Sequence, residues 1–152
     1  MQVNSYLFGD LIVEQEKIIQ FPEGVFGFPD KRRYILVEKE ESFPISWLQC
    51  LDDPYLSFAV INPFLVFSDY KVVLDNQDCE YLELNESEGA MILSIMILPE
   101  DLNKSTINLQ APLIINIQKR LGRQVILSNQ KYPYRHPVFF DCEEDNNCET
   151  TG

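Results

Sequence analysis

The stretch Trp47-Leu-Gln-Cys-Leu-Asp-Asp-Pro-Tyr-Leu-Ser-Phe-Ala-Val-Ile-Asn-Pro-Phe64 holds the chain's single tryptophan, two apolar runs and a turn between them. The first run, 44–51, is apolar and aromatic, with Ser46 and Gln49 as its polar breaks. The second, Phe58-Ala59-Val60-Ile61, is made of strand-favouring residues. Between them Asp52-Asp53-Pro54 forms a turn, because Asp accepts local backbone hydrogen bonds and Pro fixes φ while removing a donor. Asn62-Pro63 ends the second run, since proline cannot donate to a ladder and pushes its predecessor away from helix. The pattern predicts two antiparallel strands.

Upstream, Gly9-Asp10 between Tyr6-Leu7-Phe8 and Leu11-Ile12-Val13 is a two-residue hairpin signal. A short strand is expected over 17–21. The Gly- and Pro-rich loop 21–30 that follows carries an unusual load of phenylalanine. Such a loop either folds back over the core or presents a binding surface, and Phe26 and Phe28 are its candidate anchors. Lys31-Arg32-Arg33 reads as a solvated basic rim before the strand Tyr34-Ile35-Leu36-Val37.

Downstream, Phe64-Leu65-Val66-Phe67 is a further apolar run, with Val72-Val73-Leu74 continuing it past a bend. Asp75-Asn76 caps one short helix reaching about Leu84. The run 90–98 is apolar apart from Ser94, which suits a strand buried on both faces or one closing a barrel. Strands are expected at 105–109, 112–117 and 123–127, with a turn at Leu121-Gly122. Many short strands and one helix argue for an all-β domain over 1–140, an antiparallel barrel or sandwich. Residues 141–152 form an acidic stretch without apolar periodicity, expected to be a disordered tail.

The 152 residues fit one domain, and a chain of this size buries roughly 70% of its unfolded surface. The net charge is −12, from 24 acidic and 12 basic residues, which disfavours direct contact with nucleic acid or an anionic membrane. A basic protein partner is compatible with it, and opposite fields would speed the encounter. The opening Met1-Gln2-Val3-Asn4-Ser5 has no basic region followed by an apolar one, so no secretory signal and a cytoplasmic location are expected. Reduced thiols are then expected for Cys50, Cys79, Cys142 and Cys148. With one histidine, His136, and no zinc spacing, neither a metal nor another cofactor is expected.

Several blocks together resemble the FliW family of flagellar assembly factors. They are Trp47-Leu48-Gln49, Leu51-Asp52-Asp53-Pro54, Phe58 and Val60-Ile61-Asn62-Pro63; Phe21-Pro22-Glu23-Gly24 with Gly27-Phe28; and, later, Thr106, Asn108-Leu109, Ala111-Pro112-Leu113, Ile115-Asn116, Gln124-Val125-Ile126-Leu127 and Tyr132-Pro133-Tyr134-Arg135-His136-Pro137. Phe26 stands where the family carries proline. The resemblance covers about 1–137 and implies a small β-barrel-like, non-enzymatic protein, expected to be monomeric when free. It also implies two mutually exclusive partners, flagellin and the RNA-binding regulator CsrA. Bound flagellin leaves CsrA free to repress flagellin mRNA, and export of flagellin releases this protein to sequester CsrA.

Within these blocks Asp52, Asp53, Asn62 and Asn116 are polar residues at expected strand ends, and with Phe26 and Phe28 they are the candidate partner contacts. Turn capping and ladder termination are their competing role. Asp52, Asp53 and Asp69 are the best enzymatic reading, a carbohydrate-active or ligand-binding barrel; an apolar pocket with convergent carboxylates would favour it. His136 has no nucleophile motif near it, and no phosphate loop or nucleotide fingerprint occurs. The reading is a protein-binding regulator without catalysis. The alternative from the same family resemblance is a dedicated flagellin chaperone with no CsrA role.

Overall fold

Pro63 ends one strand early, and much of the architecture follows from that. The structure, a computed structural model, describes residues 1–85, 89–128 and 130–138, so the expected tail lies outside the described residues. In chain order the strands are β1 (Gln2–Ser5), β2 (Gly9–Ile12), β3 (Ile19–Gln20), β4 (Arg33–Glu38), β5 (Ile45–Cys50) and β6 (Ser57–Ile61). The helix α1 (Asn76–Tyr81) precedes β7 (Ala90–Ile97), β8 (Thr106–Ile107), β9 (Leu113–Asn116), β10 (Leu121–Gln124) and β11 (His136–Pro137). β7, β6, β5, β4, β3, β10 and β9 are neighbours in that order, and β9 returns to β7, so seven strands close into a barrel. All pairings but one are antiparallel; the parallel seam joins Gln20 of β3 to Leu121 of β10. β8 and β11 extend the sheet beyond β7, and β1 with β2 is a separate hairpin. Among the described residues the fold is mostly β with a single short helix, as the strand and turn pattern predicts.

Alternation decides what each face buries. Tyr34, Leu48, Cys50, Val60, Leu93, Leu113 and Ile115 form one core together with Phe21 and Val25. The opposite-facing Ala59, Ile61 and Ile114 join a second core completed by Tyr70, Leu82, Val125, Leu127 and Val138. β7 contributes to both, which is why its sequence is apolar throughout. The hairpin packs Val3 and Val13 with Ile18 against Ile35 and Leu51.

Four local expectations shift. The hairpin turn is Tyr6-Leu7-Phe8, not Gly9-Asp10: Ser5 pairs with Gly9, and Gly9 takes φ +68° after a three-residue loop. Residues 63–74 form no strand; Asn62 and Pro63 launch a 3-10 turn at Pro63–Leu65, and the rest lies as coil with Tyr70 donating from its hydroxyl to Leu109. The helix starts where expected, with the Asp75 carboxylate accepting from Asp78 N at 2.8 Å, but it stops at Tyr81 and reverses at Glu83, φ +54°. β10 begins at Leu121, and the turn before it uses Arg120 at φ +53°. Gly122 is therefore inside a strand. It is needed there because a Cβ would lie 2.6 Å from the ring of Phe21, which fills the barrel interior. Arg123 of β10 ties the loop after β3 to the helix: Nε lies 3.4 Å from Glu23 Oε1, Nη1 3.6 Å from Asp78 Oδ1, and the guanidinium 4.3 Å from the Tyr81 ring centroid.

Candidate functional site

The turn between β5 and β6 carries the acidic candidates. Asp52 accepts from Arg33 of β4, Nη2 to Oδ1 at 2.6 Å and Nε to Oδ1 at 3.2 Å. The hydrogen bonds from Arg33, more than its charge alone, hold the Asp52 carboxyl below the usual carboxylate range. Asp53 acts as an Asx cap, Oδ1 accepting from Tyr55 N at 3.0 Å, with Lys31 Nζ 3.9 Å from Oδ2. Both aspartates thus have structural work and still face solvent.

The pH consequence has a definite sign. A carboxylate with a lowered folded pKa adds stability above its unfolded pKa and loses it as pH falls through the folded value. Because the pair is about a third exposed, Asp52→Asn is expected to cost no more than about 1 kcal/mol near neutral pH. The difference from the unaltered chain should vanish in acid, and urea melts at about pH 7 and about pH 2 check this.

Beneath the turn lies Gln49, which sequence reading treats only as a polar break in a strand. It is fully buried. Its Nε2 is 3.0 Å from Cys50 O, 3.1 Å from Leu56 O and 3.3 Å from Asp53 O, and its Oε1 accepts from Ser5 Oγ at 2.8 Å. Ser5 belongs to the N-terminal hairpin, so one amide holds both the turn and that hairpin. Tyr6 N then donates to Pro54 O at 2.8 Å. As a result Tyr6 and Tyr55, 73% and 77% exposed, lie with ring centroids 5.3 Å apart beside Asp53. This aromatic pair comes from residues 49 positions apart, and no local signal marks it.

The Phe-rich loop divides its aromatics. Phe21 and Val25 are buried in the barrel core, while Phe26 and Phe28 are 53% and 38% exposed. Gly24, at φ +70°, makes room for the carbonyl of Phe28, which a Cβ would strike. Phe26 N donates to Gln124 Oε1 at 2.9 Å, and Gln124 Nε2 to Ala111 O at 3.0 Å, so the loop is pinned to β10. Phe28 leans edge-on against Phe58 at 5.5 Å. Phe21 and Val25 therefore cover the core, and Phe26 and Phe28 are left exposed.

The two asparagines separate. Asn62 is exposed and caps the 3-10 turn, Oδ1 accepting from Phe64 N at 3.0 Å. Asn116 is fully buried. Its Nδ2 donates to Leu82 O at 2.8 Å and Glu83 O at 3.2 Å, and its Oδ1 accepts from Gln118 N at 3.1 Å and Lys119 N at 3.2 Å. It fastens the helix terminus and the β9–β10 turn to the barrel and presents no surface.

A groove of about 540 Å³ opens where β6 ends, between Phe43, Phe64, Leu65 and the first half of β7. Asn62 lines it; Asp52, Asp53 and Asp69 do not, so the three carboxylates do not converge there. Asp52 and Asp53 precede β6, whereas the exposed Asp69 follows the segment leaving its far end. His136 stacks on Phe67, ring centroids 5.6 Å apart, with Nδ1 2.8 Å from Pro137 O. Cys50 is a buried thiol whose pKa burial pushes up, and Cys79 is also free. Among the described residues no group of three or more His, Cys, Asp and Glu side chains could hold a metal, and no helix is long and apolar enough to cross a membrane.

Comparison with known proteins locates this architecture. Residues 2–138 match the family model described as FliW protein. The flagellar assembly factor FliW of Natranaerobius thermophilus is 41% identical over 142 residues, covering 93% of this chain and 94% of the relative. That of Caldicellulosiruptor saccharolyticus is 37% identical over 137 residues, 90% of each chain. A crystal structure of the flagellar assembly factor FliW superposes with a TM-score of 0.85 at 32% identity, covering 91% of this chain and 97% of the other.

Proposed function

The chain belongs to the FliW family of flagellar assembly factors, and from that premise we propose that it binds flagellin and, once released, binds the RNA-binding regulator CsrA and relieves its repression of flagellin mRNA. The observation that carries this reading is the family match over residues 2–138, nearly the whole described chain. The site geometry agrees with a protein-binding role, and a cytoplasmic location is part of the same reading. Its exposed groups are aromatic rings and turn-capping carboxylates on a closed, rigid barrel, and the three aspartates that would serve an enzyme do not share the groove. In this reading Phe26 and Phe28 are apolar anchors, and Asp52, Asp53 and Asn62 are polar contacts. Asn116, being buried, acts on the fold, by holding the turn that follows β9.

The charge of −12 adds a mechanism. A protein surface that binds RNA is basic where it meets phosphate. An anionic domain docked beside that surface repels RNA within a Debye length, about 8 Å at physiological salt, even without covering it. Calorimetric titration with flagellin and CsrA, separately and in competition, tests the reading. Binding to both with mutual displacement is the expected result. Flagellin binding alone would make this a dedicated chaperone, and binding to neither would overturn the proposal. Neutralising the exposed acids Asp10, Glu16 and Glu100 is expected to weaken RNA displacement while CsrA binding persists. Equal displacement by the neutralised protein would remove the electrostatic part.

A further inference from the structure

β7 is eight residues long, but its two flanks are not equally covered. On one flank β9 pairs with Ala90–Leu93 and β8 with Met96 and Ile97. On the other, β6 reaches only Ile95 and Ser94, because Asn62-Pro63 turns the chain away. Backbone direction follows from bonds at either end. Asn108 N donates to Ile95 O at 3.0 Å, so Ile95 and, by alternation, Leu93 and Met91 direct their polar groups toward β8 and β9. Val125 N donating to Pro112 O at 2.9 Å gives the same phase: Leu113 and Ile115 then face β7, opposite Leu93 and Met91. The N–H and C=O groups of Ala90 and Ile92 therefore point to the flank that β6 has left. Among the described residues no strand pairs there.

That open edge borders the 540 Å³ groove. Its lips are Phe43, Phe64 and Leu65, exposed by 78%, 39% and 61%. Edges of this kind are usually blunted by lysine, proline or inward-pointing charge. Among the described residues no basic one lines the groove, and its one charged lining residue is Glu38. Glu40 and Glu41 stand exposed just before Phe43, and the nearby Lys39 is drawn over the Phe8 ring at 5.7 Å. An apolar slot with an unpaired strand edge and an acidic rim has a definite complement.

We infer that the slot between the end of β6 and the first half of β7 binds an extended segment of another protein by strand addition. That segment pairs with the backbone of Ala90 and Ile92, sets apolar side chains against Phe43 and Leu65, and carries lysine or arginine toward the Glu38, Glu40 and Glu41 rim. Pairing supplies affinity and the acidic rim selects against anionic strands.

The probe is a capped peptide of about eight residues alternating valine and lysine, long enough to span the edge, titrated into the full chain. It should bind, weaken with salt, and slow amide exchange at Ala90 and Ile92. The same peptide with alternate amides N-methylated should bind about tenfold more weakly, as should a valine–glutamate peptide. Ala90→Pro removes a slot-facing N–H at the first position of the strand, where proline spares the ladder to β9. It is expected to give the same loss with an unchanged urea midpoint. Leu65→Ser, at an exposed lip, is a second variant whose folding is not at issue. No binding of the valine–lysine peptide, equal binding of its N-methylated form, or unchanged exchange at Ala90 and Ile92 would each overturn the inference. A concentration-dependent dimer that Ala90→Pro dissolves would assign the slot to a second copy and overturn it as stated. Because these probes are neither flagellin nor CsrA, their failure leaves the proposed function standing.

Discussion

Asn116→Ala is expected to destabilise the protein by about 3 kcal/mol, since it leaves the buried Leu82 carbonyl, at a cost of about 1–3 kcal/mol, and three part-buried backbone groups without their partner at once. The carbonyls of Leu82 and Glu83 sit past the end of α1, where helical carbonyls have no partner within the helix. The N–H groups of Gln118 and Lys119 lose their acceptor in the same step. Asn116→Asp sharpens the result. It keeps the shape and the acceptor but turns a donating amide into a carboxylate aimed at Leu82 O. Burial and that carbonyl raise the folded pKa of the new carboxyl. A group with a raised folded pKa adds stability below its unfolded pKa and loses it as pH rises through the folded one. The aspartate variant should therefore approach the native chain near about pH 4 and fall away toward about pH 7, while the alanine variant stays low throughout. Urea melts across that range provide the check. If Asn116→Ala melted within about 0.5 kcal/mol of the native chain yet lost partner binding, Asn116 would be a contact residue after all.

The contrast between Asn116 and Asn62 marks where sequence is readable. Both sit at a strand end, and both are polar residues in positions that turn chemistry favours. Only the closed barrel tells them apart, because α1 packs its last carbonyls onto Asn116 from 33 and 34 positions away. The β5–turn–β6 unit, the doubly apolar β7 and the Asp75 cap were legible because each is decided by neighbours in sequence. The hairpin turn was not. Tyr6-Leu7-Phe8 looks like a strand by composition, but Ser5 Oγ accepts from Phe8 N at 3.1 Å and is itself tied to Gln49, which places the turn there. Gly122 misleads for a similar reason: it reads as a turn residue, yet the ring of Phe21 is what requires it. The apolar run after Pro63 reads as more of the same strand material, yet it forms a 3-10 turn and coil, with Phe64 and Leu65 exposed and Val66 and Phe67 half-buried. At the candidate surface, Asp52 and Asp53 were visible as turn formers. The exposed Tyr6–Tyr55 pair and the slot beside β7 were invisible, because both arise only when distant segments meet.

Gln49→Leu carries the second large effect, about 2–3 kcal/mol, and it has a spatial signature. Leucine matches the volume but gives nothing to the carbonyls of Cys50, Asp53 and Leu56, and leaves Ser5 Oγ buried without its acceptor. Asp53 is only half-buried, so water can reach part of the turn; the loss should concentrate at Ser5 and the strand carbonyls beneath. The N-terminal hairpin is then held by its small apolar cluster of Val3, Val13 and Ile18, the Tyr6–Pro54 bond and ring contacts to Tyr55 and Trp47. Exchange of the Tyr6 amide, bonded to Pro54 O, should accelerate more than exchange within β4 or β5. Ser5→Ala removes the same hydrogen bond from the other side and should cost about 1 kcal/mol. The double variant should then be less destabilised than the sum by about 1 kcal/mol, because the bond can be lost only once. Strict additivity would mean that Ser5 and Gln49 do not act together. In that case the Tyr6–Tyr55 surface would owe its position to ring packing and the Tyr6–Pro54 bond alone. If coupling is found, Gln49→Leu should weaken the proposed flagellin and CsrA binding through displaced surface residues, even though Gln49 itself is wholly buried.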